Sequence, residues 1–122
     1  MSIKGKAYIA GIYEHPTRHA PDKSTPQLHA ECAKGALEDA GLSIKDVDGF
    51  FCAGDSPGGG FSMSDYLGLN VRHLDTTDTG GCSYLIHVGH AAEAIAAGKC
   101  KIALITLAGR PRTEAQPPRG AR

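Results

Sequence analysis

Residues 74 to 108 read as a strand, a glycine-cysteine turn, an alanine-rich helix and a buried strand, and few folds accept that order. From Cys82 to Ala97 the spacing predicts a helix with Leu85, Val88, Ala92 and Ile95 on one stripe. Gly98 supplies a stop and Lys99 a favourable charge at the helix C-terminus. Cys100 to Ala108 then reads as a strand apolar on both faces, as in a parallel sheet covered by helices on both sides. A strand-helix-strand crossover of this kind is almost always right-handed.

The chain before this unit extends the same alternation. Ala7 to Tyr13 is a short apolar run suited to a buried strand, and it ends at the turn Glu14-His15-Pro16. Residues 14 to 24 are then a loop. Thr25 as N-cap and Pro26 at the first helical position open a helix that carries Leu28, Cys32 and Leu37 to Ala40, where Gly41 closes it. A connecting turn over 42 to 48 feeds a strand at 49 to 53, a glycine- and proline-rich loop at 54 to 60, a brief helix at 62 to 67 and a strand at 73 to 77. The expected class is α/β, with a mixed but largely parallel sheet and helices on both faces.

The chain has 122 residues, enough for one domain with a real core but not for two. Residues 1 to 110 form that expected domain. Residues 111 to 122 are expected to be a disordered or non-native tail, because the stretch from Gly109 onward holds four arginines and three prolines and nothing apolar beyond alanine. Thirteen basic residues balance thirteen acidic ones, so charge announces neither a nucleic-acid nor an anionic-membrane partner. The cysteines Cys32, Cys52, Cys82 and Cys100 lack C-x-x-C spacing, which disfavours a zinc knuckle or a disulfide scaffold and suits reduced thiols. No run reaches membrane-spanning length and no secretory h-region is present, so a soluble cytoplasmic protein is expected.

The chemistry concentrates at Asp75-Thr76-Thr77-Asp78-Thr79-Gly80-Gly81-Cys82-Ser83. A thiol in the first turn of a helix meets free amides and the positive end of the dipole, which stabilise a thiolate. Cys82 is therefore a candidate nucleophile, and the alternative is a small buried hydrophobe behind a tight turn. Gly81 and Ser83 flank it as candidate substrate-binding positions, with the Cys82 and Ser83 amides as auxiliary donors. His87 and His90 lie three apart and with Cys82 or His73 could hold a metal, but helical histidines at a seam are the plainer reading, and no metal is expected. Asp75 and Asp78 read as turn caps rather than an acid/base pair. The loop at 54 to 60 lacks the order of a phosphate-binding glycine motif and reads as linkage. A generic nucleotide-binding domain would carry glycines directly after the first strand, and Gly11-Ile12-Tyr13-Glu14-His15-Pro16 does not provide them.

With Gly35-Ala36-Leu37-Glu38-Asp39-Ala40-Gly41-Leu42 and Ile44-Lys45-Asp46-Val47-Asp48-Gly49 before it, this stretch resembles the N-terminal half of the thiolase-like proteins, especially the sterol-carrier-protein-x type, over about residues 5 to 110. The resemblance implies an acyl-CoA acyltransferase of the acetyl-CoA acetyltransferase kind, working on carbon-carbon bonds next to a thioester in lipid or steroid side-chain metabolism. Acyl-CoA would be substrate, and no resident cofactor is implied. Counting back from Gly98 through an ungapped helix puts Gly81 at the family's cysteine position. Thr79-Gly80-Gly81-Cys82-Ser83-Tyr84 is similar to non-condensing relatives, including steroid side-chain aldolases, which implies a scaffold working as a homodimer or with a small acyl-CoA-binding partner. The family's base and second cysteine lie in a second half that this sequence does not contain. One half alone is expected to expose the helix face that the other half covers, and so to self-associate.

Overall fold

The computed structural model describes residues 3–17, 22–53 and 59–108. The expected tail and most of the glycine-rich loop, residues 54–58, lie outside them.

Three helices and three short strands alternate: α1 (Thr25–Ala40), β1 (Gly49–Phe51), α2 (Gly59–Leu67), β2 (His73–Asp75), α3 (Ser83–Ala96) and β3 (Ala103–Ile105). The sheet order is β2-β1-β3, with both pairings parallel. The α/β class with helices on both faces is thus observed, and the described sheet is parallel throughout rather than mixed. The strand in the middle is the first to be completed, so the chain crosses from the centre to one edge and then to the other.

Side-chain alternation along β1 divides the core. Phe50 packs on one face with Leu104, Ala33 and Leu37 of α1 and Met63 of α2. Phe51 packs on the other face with Ala91 and Ala94 of α3 and with Cys100. Both phenylalanines are fully buried.

Local signals account for most element ends. Gly41 caps α1, and the Leu42 amide reaches back to the Leu37 carbonyl at 2.8 Å, closing the helix as expected. Gly98 closes α3 in the same way, with the Lys99 amide donating to the Ala94 carbonyl. The N-cap of α1 is Ser24 rather than Thr25. Its hydroxyl accepts from the Gln27 amide at 3.2 Å, the third helical position that a cap side chain can reach. Between α1 and β1 a single 3-10 turn at Ile44–Asp46 is fixed by the Asp46 carboxylate, which accepts from the Ser43 amide at 2.9 Å.

Four expectations change. The strands shorten to three residues each at 49–51, 73–75 and 103–105, because pairing ends where the neighbouring strand ends. α2 begins at Gly59, inside the stretch read as a loop. Ala7 to Tyr13 is extended but pairs with no strand among the described residues, and Ile9 and Ile12 are 75% and 73% exposed. α3 turns a different face to the core: Ser83, His87, Ala91 and Ala94 are buried, whereas Leu85 of the expected stripe is 78% exposed. Ala91 and Ala94 meet the sheet at close approach, Ile95 packs at the margin of the same cluster, and Leu85 and Val88 are left outside. Leu85 and Val88 are thus an exposed apolar pair on the outer side of α3.

Ala7 to Tyr13 is held by α1 instead of by a ladder. The Ile12 amide donates to Asp39 Oδ2 at 2.9 Å. The Tyr13 ring lies directly on Gly35, where any Cβ would collide with it. His15 Nε2 donates to Glu31 at 2.8 Å while its Nδ1 accepts from the Thr17 amide, and Lys23 binds the other Glu31 oxygen at 2.9 Å. Hydrogen bonds from His15 and Lys23 hold the Glu31 carboxyl down at about 2.

Candidate functional site

The residues linking β2 to α3 form a tightly bonded turn. Thr77 donates its amide (2.8 Å) and its hydroxyl (2.6 Å) to Asp75 Oδ1. Gly80 takes a φ of 93°, open to glycine at little cost, and its amide donates to Asp78 Oδ1. Both aspartates therefore cap this turn, as their positions at the strand end suggested. The Thr79 amide donates to Ser83 Oγ at 2.8 Å, and that hydroxyl donates to the Gly80 carbonyl at 2.6 Å.

The three candidate positions differ in what they can reach. Ser83 is fully buried, and its amide as well as its hydroxyl donates to the Gly80 carbonyl, so the residue braces the turn. Gly81 is exposed, has no positive φ, and a Cβ there would meet nothing within 4 Å. Cys82 is the N-cap of α3 and is exposed, so it is not the small buried hydrophobe that the sequence left open. Its sulfur caps no helix amide. It lies 3.6 Å from Thr79 Oγ1 and 3.8 Å from the Thr79 carbonyl, and among the described residues no imidazole meets it.

The other thiols are poorer nucleophiles. Cys52 is buried, and burial pushes the Cys32 and Cys100 thiols up. No disulfide joins any two of the four cysteines.

The histidines are committed elsewhere. His87, fully buried between the Phe51 and Tyr84 rings, donates Nε2–H to the Thr77 carbonyl at 2.8 Å. His90 Nδ1 donates to Asp75 Oδ2 at 2.6 Å. Burial pushes the Asp75 carboxyl up, but the Thr77 hydroxyl and amide and His90 together outweigh it and hold the group below its usual range. Among the described residues no three metal-ligating side chains converge. The Asp75–His90 pair escaped the sequence reading because its partners are fifteen residues apart. Its only signal was an aspartate at a strand end before a helix bearing histidines.

No family model matches the chain, and no curated protein sequence does. Solved structures do. The "Ltp2-ChsH2(DUF35) aldolase" matches over 90% of this chain and 29% of its own, with a TM-score of 0.79 and 25% identity. A monomeric SCP2-thiolase-like protein type 1 from Mycobacterium smegmatis matches over 80% of this chain and 22% of its own, with a TM-score of 0.63 and 25% identity. OleA of Xanthomonas campestris, solved with lauric acid and lauroyl-CoA bound, matches over 69% of this chain and 27% of its own, with a TM-score of 0.58 and 19% identity. The chain spans less than a third of the length of each of these proteins. None of its described helices is long and apolar enough to cross a membrane. The order of its elements, its helix-covered parallel sheet and these likenesses together identify the fold as thiolase-like, as the sequence resemblance implied.

Proposed function

We propose that this chain forms part of an acyl-CoA-handling, thiolase-like assembly of the non-condensing, aldolase type, acting on a carbon-carbon bond next to a thioester carbonyl. The observation that carries the reading is the start of α3. Gly81 offers no side chain where the family's nucleophile would stand, and the Cys82 thiol turns back on Thr79 and meets no base among the described residues. An activated nucleophile needs a base within hydrogen-bond reach or a strongly lowered pKa. The likeness to an aldolase over 90% of the chain supports the same assignment. The substrate would be a lipid or steroid side-chain acyl-CoA, the setting the cytoplasm, and the assembly a homodimer or a hetero-oligomer with a small acyl-CoA-binding protein.

A second reading rests on the exposure of Cys82 at a helix N-terminus, where an acyl-thioester could form as in a condensing acyltransferase. Mass spectrometry after incubation with acetyl-CoA or lauroyl-CoA separates the two. The aldolase-type reading expects no acyl adduct selective for Cys82. An adduct on Cys82 that is absent from Cys32, Cys52 and Cys100 would establish the nucleophile reading in its place.

A further inference from the structure

Two separate hydrogen-bond networks hold the turn between β2 and α3. In the first, residues 78–83 bond among themselves: the Gly80 amide to Asp78 Oδ1, the Thr79 amide to Ser83 Oγ, and the Ser83 amide and hydroxyl to the Gly80 carbonyl. Bonds this local in sequence give the turn its shape but not its place on the molecule.

Thr77 is tied differently. Its amide and hydroxyl donate to Asp75 Oδ1, whose other oxygen accepts from His90 Nδ1, and its carbonyl accepts from His87 Nε2. Every polar group of Thr77 is thus used, and each path ends on a histidine of α3. The two histidines lie three residues apart, on one side of the helix, and reach back ten and fifteen residues to the groups they bind.

Packing alone does not account for histidine at position 87. The side chain is fully buried between the Phe51 and Tyr84 rings, at centroid distances of 6.2 and 5.3 Å, and among the described residues its Nδ1 has no hydrogen-bond partner. A phenylalanine would fill that space without stranding a polar atom, which is destabilising when buried. What histidine adds is the Nε2–H that holds the Thr77 carbonyl at 2.8 Å. The His90 side chain is 38% exposed, so its contribution is likewise the bond to Asp75 rather than burial.

We propose that His87 and His90 are positioning residues: acting through Thr77 and Asp75, they set where the turn presents Gly81 and Cys82 at the start of α3. Without either anchor the turn frays from its Thr77 end and opens the contact between Thr79 and the Cys82 sulfur. That an acyl thioester is what meets this turn rests on the function proposed above.

The test treats the full chain with limiting iodoacetamide and follows Cys82 by mass spectrometry. His87→Phe and His90→Leu keep an apolar side chain but remove the donor. Each is expected to raise the Cys82 alkylation rate about threefold or more, the scale of one net hydrogen bond, and to leave the Cys32 rate unchanged. His87→Gln and His90→Asn supply an amide N–H in place of the ring N–H and are expected to restore the wild-type rate. Unchanged Cys82 rates in the Phe and Leu variants overturn the proposal. Equal increases in the Gln and Asn variants overturn it too, because the role is then one of packing. Should His87→Phe fail to fold, the contrast between His90→Leu and His90→Asn decides. Iodoacetamide reads the geometry of the turn without any acyl group, so this result and the acyl-adduct result for the proposed function can fail separately.

Discussion

Asp48 and Ile102 hold each other across the start of the sheet: Asp48 Oδ1 accepts from the Ile102 amide at 2.8 Å, and the Ile102 carbonyl accepts from the Asp48 amide at 3.1 Å. The same carboxylate accepts from the Lys101 amide at 2.8 and 3.0 Å, and the Asp48 carbonyl takes the Arg72 amide at 2.7 Å. One residue thus gathers the beginnings of all three strands. The aspartate before Gly49, part of the segment that resembles the thiolase-like proteins, has a structural reason to be there.

Replacing Asp48 with alanine is expected to cost about 2 kcal/mol, since two amides lose a charged acceptor. Urea unfolding followed by circular dichroism measures it. Burial raises the Asp48 carboxyl, but the Ile102 and Lys101 amides and Arg72 outweigh it and leave the group below its usual range. A depressed carboxyl contributes its full stability above the unfolded value of about 4 and loses it as pH falls toward the folded value. Wild-type stability should therefore fall with acid below about pH 4 more steeply than that of the Asp48→Ala protein.

Gly80 and Gly81 should respond oppositely to alanine. At Gly80 the positive φ makes any side chain strained, at a cost of about 1–2 kcal/mol. Gly81→Ala should leave the melting temperature within error, because a Cβ there meets nothing. Thermal denaturation of the two single variants checks the contrast.

Gly81→Cys places a thiol at the position that register assigns to the family's nucleophile, without a steric penalty. The variant should fold like the wild type. With iodoacetamide it should gain one reactive thiol beside Cys82, read as a second early-labelled peptide position by mass spectrometry.

Glu31→Gln removes the carboxylate that joins His15 and Lys23. Amide exchange is expected to speed up at Ile12 to Thr17 while α3 and β3 keep their protection. With its carboxyl held at about 2, Glu31 stays ionised through the mildly acidic range, so the wild-type segment should remain protected from pH 7 down to about pH 4.

What the sequence by itself determined is local. Apolar runs, Gly41, Gly98 and the alanine-rich stretch before Lys99 set the order of strands and helices, because caps and periodicity act within a few residues. The role of Asp75 and Asp78 as caps of the turn before α3 also followed from local order. Tertiary structure decided the rest. The central place of β1 depends on pairings between residues more than fifty positions apart, as Gly49 with Ala103. The rotation of α3 depended on close approach to the sheet, which took Ala91 and Ala94 and left Leu85 outside. Ala7 to Tyr13 joins no ladder among the described residues, and contacts with side chains and backbone of α1 hold it instead. The Cys82 thiol was legible as a residue at a helix start, but its environment was set by the folded turn, which faces it toward Thr79 and commits the nearby histidines to Thr77 and Asp75.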